Sequence, residues 1–377
     1  MRFADVIGQD DVKRRLRSSF REGRIAHALL FLGPEGSGAL SVALAFAQYV
    51  LCTKRTEEDS CGECPSCRKM NSLQHADLHF SFPYFNIHSA PRETYSDDYS
   101  AKWRAAILED PYLDLDAWRS RLTSENKQFQ IPVSEAGNIV RKLALRSYEG
   151  DYKFMVIWAA DMIKNDTANK LLKIIEEPPD HTLFFLVAHS TENMLATILS
   201  RTQVVQVPRL RDQDIENGLI QNGVDPEKAA QIAHYTQGDW FRSRQLAAAQ
   251  DPNALFFEQF QRWMRMCYSR DAIAIIRWAE EMTDLSRDDQ KHFLTYALDQ
   301  IRQNLILNYA GEELARMSDN EKAFSIKFSR FINDLNAQQL MEVLNDAHLD
   351  IGRNGYAKLI FSDLSFKTHK LLTREAQ

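Results

Sequence analysis

The sequence predicts a mixed α/β domain with a mostly parallel sheet, followed by an all-helical domain. Short apolar runs of strand length alternate with helix-like segments over the first half of the chain, which is typical of a parallel sheet covered on both faces. From about Asp212 the strand pattern stops and apolar residues recur at helical spacing. The 377 residues suffice for two or three domains, each with its own core.

Composition excludes several classes of protein. Apolar residues make up 44% and charged residues 26%, as in ordinary globular proteins, and 14 Gly and 11 Pro are too few for collagen-like or low-complexity chains. The net charge of −6 argues against a basic nucleic-acid coat, although a local basic face is compatible with it. No apolar stretch approaches the roughly 18 residues of a membrane span. The amino-terminal residues also lack the apolar core of a signal peptide, so we expect a cytoplasmic protein.

The amino-terminal region predicts a helix, a strand and a second helix. Asp10–Phe20 is a polar stretch rich in Lys and Arg, and Ala28–Leu32 is an apolar run of strand length. The glycine-rich turn Gly33–Gly38 follows this strand, and an apolar helix over about Ala39–Leu51 follows the turn. Strand, glycine turn and helix form the context of a phosphate-binding loop.

Residues 75–130 interrupt the alternation. The run Phe80–Phe85 is aromatic, and Trp103 and Trp118 lie on predicted short helices. A structureless loop of this length is unusual in a compact domain, so we predict an insertion with its own small structure. Its role stays open: its aromatic residues could form a core or a docking patch.

The alternation resumes after the insertion. Ser134 is a plausible helix N-cap, and Pro178-Pro179 ends a helix because proline cannot continue one. The predicted elements here are a helix over about Glu135–Ser147, a strand Phe154–Trp158, a helix over about Ile163–Glu177, a strand Leu183–Ala188, a short helix near Glu192–Leu199 and a strand Val204–Val207. The helical segments of the last part are Ala229–Tyr235, Phe256–Cys267, Ala272–Met282, Lys291–Leu307 and Leu340–Leu349.

The phosphate loop lacks its chemical groups. A working loop reads G-x-x-x-x-G-K-[ST], in which the Lys reaches the β- and γ-phosphates and the hydroxyl holds Mg²⁺. Gly33, Gly36 and Gly38 are present, but Ala39 stands at the Lys position and Leu40 at the hydroxyl position. Neither side chain can supply the missing charge or metal ligand.

The second strand of such a site also lacks its expected acidic residues. An acidic pair should follow the apolar run Phe154–Ile157 at the end of this strand, with one carboxylate for Mg²⁺ and one for the attacking water. The residues at that place are Trp158 and Ala159. Four chemical groups are thus missing at two separate sites, which argues against ATP hydrolysis. The glycines then form a tight turn, and residual nucleotide binding through backbone amides remains open.

Four of the five cysteines cluster as Cys52-x₈-Cys61-x₂-Cys64-x₂-Cys67. Four thiolates at this spacing can surround one Zn²⁺ tetrahedrally and leave no open position, which predicts a structural site. An iron–sulfur cluster and unligated cysteines are the alternatives. Cys267, in a predicted helix, is interpreted as a small buried apolar residue.

These residues together resemble the family of delta-prime subunits of the bacterial DNA polymerase III clamp loader. The resemblance covers nearly the whole chain apart from the insertion. The motifs that carry it are Phe3–Gln9, Ile25–Phe31 with Gly33-Pro34-x-Gly36, the four cysteines, Asn169–Pro179, Ser200-Arg201-Thr202 (with Thr in place of the family's Cys) and, more weakly, Ile351–Leu359. It implies an AAA+-like α/β domain with an inserted four-cysteine zinc module, a small helical lid and an all-helical collar. The implied boundaries are 1–175 (zinc module 52–67, insertion about 75–130), 176–211 for the lid and 212–377 for the collar.

The resemblance also implies a function. Such a subunit does not hydrolyse ATP, helps load the sliding clamp onto primed DNA, and supplies Arg201, beside Ser200, in trans to the ATP of a neighbouring motor subunit. A fixed guanidinium there would stabilise charge on the transferring phosphoryl group. The implied cofactor is structural Zn²⁺, with no functional ATP site.

The implied partners are motor subunits of gamma/tau type, the delta subunit and, through the complex, the sliding clamp and primer-template DNA. By this resemblance the chain is no enzyme on its own, only part of a DNA-directed DNA polymerase holoenzyme. Two other functions stay open: an active ATPase of the same fold, and a zinc-bearing scaffold outside replication. ATP turnover by the isolated chain would favour the first, and no affinity for motor subunits would favour the second. The sequence contains no motif that indicates direct contacts with DNA.

Overall fold

The computed structural model of the protein describes residues 1–87, 93–122, 129–144, 146–248, 254–285, 287–311, 315, 317–353 and 355–372. Asn354 of the predicted motif Ile351–Leu359 lies outside these residues, as do parts of the predicted insertion. The chain divides into two compact units, Met1–Ala247 and Ala248–Gln377. Among the described residues, no helix has both the length and the apolar character needed to cross a bilayer.

A parallel sheet forms the centre of the first unit. In the described part of the chain it has five strands: β1 (Ala28–Leu32), β2 (Leu78–Ser81), β3 (Lys153–Trp158), β4 (Thr182–Ala188) and β5 (Gln203–Gln206). Their order is β2-β3-β4-β1-β5, and all neighbours run parallel. The predicted α/β class with a parallel sheet is confirmed.

Both faces of the sheet are covered. Successive side chains of a strand point to opposite faces, so alternate residues enter different cores. Leu29 and Phe31 of β1 belong to one hydrophobic cluster, whereas Leu30 belongs to another. The same alternation separates Val156 from Ile157 on β3. Burial on both faces explains why these strands read as continuous apolar runs in the sequence.

The helices surround this sheet and build the second unit. In the first unit they are α1 (Asp10–Arg21), α2 (Ala39–Leu51), α3 (Pro65–Asn71), α4 (Ser100–Glu109), α5 (Leu115–Leu122), α6 (Val133–Leu143), α7 (Asn165–Glu176), α8 (Ala196–Leu199), α9 (Asp212–Gln221), α10 (Pro226–Thr236) and α11 (Trp240–Ala248). The later helices are α12 (Ala254–Ser269), α13 (Ala272–Glu281), α14 (Arg287–Ala310), α15 (Asp319–Phe328), α16 (Ala337–Gly352) and α17 (Ala357–Leu372).

Strand β2 corrects the expected start of the insertion at residue 75. Leu78–Ser81 pairs with β3 and forms one edge of the sheet, so the inserted structure begins only after it. The alternation of apolar Leu78 and Phe80 with polar His79 and Ser81 is a strand pattern. The aromatic run that follows it obscured this signal, because it extends the apolar character beyond the strand.

The expected lid, residues 176–211, corresponds to a different part of the fold. This segment supplies β4, which pairs with β1 and β3, and β5, which pairs with β1. A separate small layer is formed instead by α9, α10 and α11, which have their own hydrophobic cluster. These helices belong to the unit Met1–Ala247, so the all-helical unit begins at Ala248 rather than at residue 212. The boundary predicted at residue 212 was wrong because it was placed from the local sequence pattern, whereas strand pairing and helix packing depend on residues far apart in the sequence.

The inserted helices α4 and α5 pack through their aromatic residues. Trp103 and Trp118 are 1% and 0% exposed. Phe82 stacks on Trp103 with ring centroids 4.3 Å apart, and the Trp118 indole N–H donates to the Pro83 carbonyl at 2.8 Å. Of the two interpretations of these aromatic residues, core packing is therefore correct for both tryptophans.

The second unit is built from helices in its described residues. Its core is aromatic, and its main members are Phe260, Trp263, Trp278, Phe293 and Phe361. Cys267 lies in this core with 0% exposure, as predicted, and burial raises the pKa of its thiol above the usual range. The predicted helical character of the carboxy-terminal part is confirmed.

Candidate functional site

The phosphate loop has its expected position between β1 and α2. Gly36 and Gly38 have φ angles of +71° and +87°, a region that favours glycine. Gly38 also caps the amino terminus of α2. The strand–turn–helix backbone predicted from the glycines is therefore present.

The two residues that replace the loop chemistry lie in the core. Ala39 is 6% exposed and Leu40 is 4% exposed, and both pack in the hydrophobic cluster on one face of the sheet. These positions contribute to the packing of α2 and offer no polar group to a nucleotide.

The end of β3 is covered in the same way. Trp158 is 2% exposed and Ala159 is fully buried. The Trp158 ring lies 5.1 Å from the ring of Trp103, which belongs to inserted helix α4. Where a nucleotide site needs acidic groups, this chain therefore packs an indole against its own insertion.

The space above the loop is nearly filled. A cavity of about 20 Å³ remains there, lined by residues of the loop, of β3 and β4, and of the segment Pro111–Leu113. Ligand pockets commonly measure about 300–1,000 Å³, whereas about 15 Å³ suffices for one water molecule. The space above the loop is therefore much smaller than an ordinary ligand pocket.

The loop is also contacted by acidic side chains. A Cβ atom on Gly36 would lie only 2.0 Å from the Asp239 carboxylate oxygen Oδ1, so Asp239 sits directly against the loop. The Glu35 carboxylate, within the loop, accepts a hydrogen bond from the Leu115 N–H at 3.2 Å. Two acidic residues therefore lie at the phosphate loop, and both are engaged by groups of the same chain.

His189, directly after β4, lines the same small cavity. Burial lowers the pKa of His189, but the neighbouring carboxylates of Asp161 and Glu35 outweigh this effect, so its pKa lies above the usual value. Its Nδ1 is 3.7 Å from Asp161 Oδ2. The histidine therefore lies beside a carboxylate of the same chain.

Arg201 lies on the surface of the first unit, just after α8. Its Nε donates to the Glu176 carboxylate at the end of α7 over 2.9 Å, and its Nη1 donates to the Thr197 carbonyl over 3.1 Å. The Ser200 hydroxyl donates to the same Thr197 carbonyl at 3.1 Å. One third of the Arg201 side chain stays exposed. The guanidinium is therefore oriented by two elements and accessible to a partner.

The four cysteines converge between α2 and α3. Their Sγ atoms all lie within 4.8 Å of one another, and three of the separations are 3.5, 3.9 and 4.0 Å. A tetrahedral ion with Zn–S bonds of about 2.3 Å requires sulfur atoms about 3.8 Å apart. The residues Cys52, Cys61, Cys64 and Cys67 therefore fit the geometry of a four-thiolate metal site.

Backbone groups support this site. The N–H groups of Cys61, Cys64 and Cys67 donate to the sulfur atoms of Cys52, Cys61 and Cys64 at 3.3–3.4 Å. Burial raises the pKa of Cys64, but the hydrogen bonds from Cys67 and Thr53 overcome this and lower it to about 6. Backbone hydrogen bonds also lower the pKa of Cys61, whereas burial raises the pKa of the Cys52 and Cys67 thiols.

Sequence reasoning missed three features of these sites: the segment Pro111–Leu113 over the loop, Asp239 against Gly36, and Glu176 beside Arg201. Only Glu176 belonged to a quoted motif, Asn169–Pro179. The other two lie more than 70 residues from the loop and carry no local pattern that indicates a contact with it.

Comparison with known proteins identifies the family. A family model described as DNA polymerase III, delta subunit, matches residues 8–211, which is more than half of the chain. The chain belongs to this family.

Curated relatives of this DNA polymerase III family member include two kinds of subunit. The DNA polymerase III subunit delta' of Bacillus subtilis is 28% identical over 228 residues, 60% of this chain and 56% of the relative. The subunit tau of the same organism is 26% identical over 227 residues, 60% of this chain and 32% of the relative. The delta' subunit of Yersinia pestis is 28% identical over 188 residues, 50% of this chain and 43% of the relative. The matches thus span about half or less of these relatives.

Solved structures give only distant similarity to this family member. A DNA polymerase III gamma subunit-related protein from Thermotoga maritima has a TM-score of 0.39 and 12% identity, and covers 95% of this chain and 99% of its own. The RuvB Holliday junction branch migration motor of Thermotoga maritima has a TM-score of 0.38 and 13% identity, with 86% and 84% covered. Similarity at this level carries no argument about function.

Proposed function

We propose that the chain is a non-hydrolysing, delta-prime-type subunit of a bacterial DNA polymerase III clamp loader. In this role it supplies Arg201 to ATP bound by a neighbouring subunit and helps place the sliding clamp on primed DNA. Membership of the family and the state of the phosphate loop together support the proposal. The proposed site of action is the cytoplasm.

The observation that carries the proposal is the loss of ATP chemistry in a retained loop. Ala39 and Leu40 are core residues, Trp158 covers the end of β3, and about 20 Å³ is left above the loop. ATP hydrolysis needs Mg²⁺ ligands and a cation at the β- and γ-phosphates, and these positions provide neither. The chain would then be no enzyme alone, only part of the polymerase holoenzyme.

Arg201 suits action on a neighbour. Its guanidinium is held by Glu176 and the Thr197 carbonyl and remains one-third exposed, so its geometry is set before a partner arrives. Arginine stays charged at all physiological pH values, and its planar fork matches phosphate oxygens. A charge in trans stabilises the transferring phosphoryl group and typically raises turnover by about 10³–10⁵. Ser200 contributes by closing the last turn of α8.

The proposed partners are ATP-hydrolysing subunits of gamma/tau type and a delta subunit, with the sliding clamp and primer-template DNA contacted through the complex. The proposed cofactor is one Zn²⁺ at Cys52, Cys61, Cys64 and Cys67, which would hold α2 and α3 together. A closed set of four thiolates has no position for substrate, so this metal would be structural.

A second candidate, an active ATPase of the same family, is favoured by one observation: the tau subunit matches nearly as well as the delta' subunit. ATP turnover by the isolated chain distinguishes the two candidate functions. A non-hydrolysing subunit shows no ATP turnover above buffer, whereas the active ATPase does.

Reconstitution tests the arginine. ATP turnover is measured with motor and delta subunits, clamp and primed DNA, and with wild-type chain, Arg201→Ala, Arg201→Lys or no added chain. Arg24→Ala, another surface arginine that pairs with Glu22, is the matched control. We expect Arg201→Ala to lower turnover by about 10² or more, Arg201→Lys to restore little, and the control to match wild type. Unchanged turnover in an Arg201→Ala complex shown to be assembled by size exclusion would refute the assignment.

A further inference from the structure

Six residues of the insertion, Asp110–Leu115, connect helix α4 to the start of helix α5 and are called the strap here. The strap runs over the phosphate loop. A Cβ atom on Gly38 would lie 2.7 Å from the Tyr112 ring, and the Ser41 hydroxyl on α2 donates to the Pro111 carbonyl at 3.1 Å. Leu115 donates its N–H to Glu35 in the loop. The strap therefore fills the space over the loop and leaves a cavity of only about 20 Å³.

The strap also reaches the small helical layer α9–α11. Tyr112 is 6% exposed and belongs to the hydrophobic cluster of this layer, where its ring centroid lies 6.3 Å from that of Trp240. The Asp110 carboxylate forms a 3.1 Å ion pair with Arg244 on α11, and Asp110 itself is 8% exposed. The Asp110 carboxylate is buried whereas the Arg244 side chain is 44% exposed, so this pair links the strap to α11 at the edge of the core.

Adjacent residues of the strap enter two different cores. Tyr112 packs with α9–α11, whereas Leu113 packs in the main cluster beside the sheet. A third anchor lies before α1, because the Ile7 N–H donates to the Tyr112 hydroxyl at 2.8 Å. One short segment thus joins the phosphate loop, the amino-terminal segment and the helical layer.

We propose that the strap is a permanent internal occupant of the nucleotide pocket that ties the helical layer α9–α11 to the sheet. It fills the pocket with residues of the same chain and supplies the contacts that a bound nucleotide would otherwise have to supply. A large aromatic side chain buries roughly 150–250 Å², so Tyr112 contributes strongly to this attachment. The arrangement of helices and sheet then does not respond to ATP. The proposal concerns this chain alone and holds whether or not Arg201 acts in trans.

Hydrogen exchange of the full chain, followed by mass spectrometry, tests the strap. The variants are Tyr112→Ala and Arg244→Ala, of which the second removes a half-exposed side chain and leaves the core intact. Tyr112→Phe keeps the ring and removes the hydroxyl, with its hydrogen bonds to the Ile7 N–H and the Ser41 side chain. Leu108→Ala, at a 53% exposed position of α4, is the matched control. Far-ultraviolet circular dichroism checks that each variant is folded.

We expect amides of α9–α11 to exchange about tenfold faster or more in Tyr112→Ala and in Arg244→Ala, with less change in Tyr112→Phe and none in Leu108→Ala. Saturating Mg-ATP should leave exchange of the wild-type chain unchanged. If Tyr112→Ala does not fold, Arg244→Ala decides the outcome.

Two results would overturn the proposal. One is exchange in α9–α11 that is the same in Arg244→Ala and Leu108→Ala. The other is protection of the phosphate loop by Mg-ATP in the wild-type chain, because a filled pocket admits no nucleotide. Neither result bears on Arg201, whose test reads turnover in the assembled complex.

Discussion

Ala39 and Leu40, at the Lys and hydroxyl positions of the phosphate-loop pattern, are core residues. Their side chains pack among apolar residues of α2 and of the sheet, so these positions are now under packing constraint. Restoring Lys and Thr there would place polar groups where no partner is arranged for them. We therefore expect that substitution at these two positions alone does not create ATP turnover.

The double variant Ala39→Lys with Leu40→Thr tests this directly. We expect no ATP turnover by the isolated chain and a loss of stability of about 2–4 kcal/mol, from the cavity at Leu40 and the buried charge at Ala39. Turnover and thermal unfolding are the measurements. Ala105→Lys, on the exposed side of α4, is the control and should melt like wild type. Clear ATP turnover by the double variant would contradict the interpretation.

His79 on β2 gives the first unit a pH dependence. Burial and the charges of Lys142 and Lys153 lower its pKa to about 4, and the carboxylates of Asp77 and Asp97 oppose this shift. Between pH 6.5 and about 4 the unfolded chain binds a proton that the folded chain does not. The free energy of unfolding therefore decreases as the pH falls through this window.

Thermal unfolding between pH 7 and pH 5 measures this effect. We expect His79→Gln to lose less stability on acidification than the wild-type chain, because glutamine does not titrate. His234→Gln, at an exposed position of α10, is the control and should follow the wild-type profile. Identical pH profiles for His79→Gln and wild type would show that His79 does not contribute.

At the scale of elements, the four cysteines take the place of a larger hydrophobic core in the short segment between α2 and α3. Residues 52–67 have one buried cluster, formed by the cysteines themselves. When ligands converge only in the folded state, metal binding energy becomes folding energy. The metal would then determine whether α3 packs against α2.

Metal content and chelation test this element. We expect one zinc per chain, loss of that zinc in Cys61→Ser and Cys64→Ser, and a lower unfolding temperature after chelation. Cys267→Ser, far from the cluster in sequence, should keep its metal. Optical absorption in the visible range separates zinc from an iron–sulfur cluster, since only the cluster is coloured. A zinc-free chain that melts at the wild-type temperature would contradict a structural role.

The ends of α7 and α8 meet at the proposed arginine site. Glu176 closes α7 directly before Glu177-Pro178-Pro179, and Arg201 follows α8, so two short helix ends meet at one hydrogen-bonded pair. Proline ends the helix sharply and places the carboxylate at its last turn. The motif Asn169–Pro179 and the Ser200-Arg201 pair, separate in sequence, are thus one structural unit.

At the scale of the whole molecule, the chain divides between a unit with a mixed α/β core and an all-helical unit. The boundary lies at Ala247 and Ala248 rather than at residue 212. The helices α9–α11 have the same local pattern as the later helices, and sequence periodicity could not separate them. Their attachment to the first unit depends on contacts such as that of Trp240 N–H with the Gly36 carbonyl at 3.1 Å.

The sequence by itself determined the features that depend on neighbouring residues. It predicted the parallel sheet from four apolar runs, the phosphate-loop turn from its glycines, and the cysteine cluster from its spacing. Each follows from periodicity, backbone freedom or ligand geometry within a short segment. These constraints act within a short segment of the chain, so the sequence of that segment is sufficient to predict them.

Only the tertiary structure decided what fills the nucleotide pocket and which helices accompany the sheet. Tyr112 meets Ile7 across 105 residues of sequence, and Glu176 meets Arg201 across 25. Such pairs form because folding buries apolar surface and provides hydrogen-bond partners for buried polar groups at the same time. From the sequence alone, many distant residues are equally suitable partners for a given residue. No sequence pattern therefore predicts the strap. Its position becomes clear only from the folded structure, in which it contacts the loop, the sheet and the helical layer.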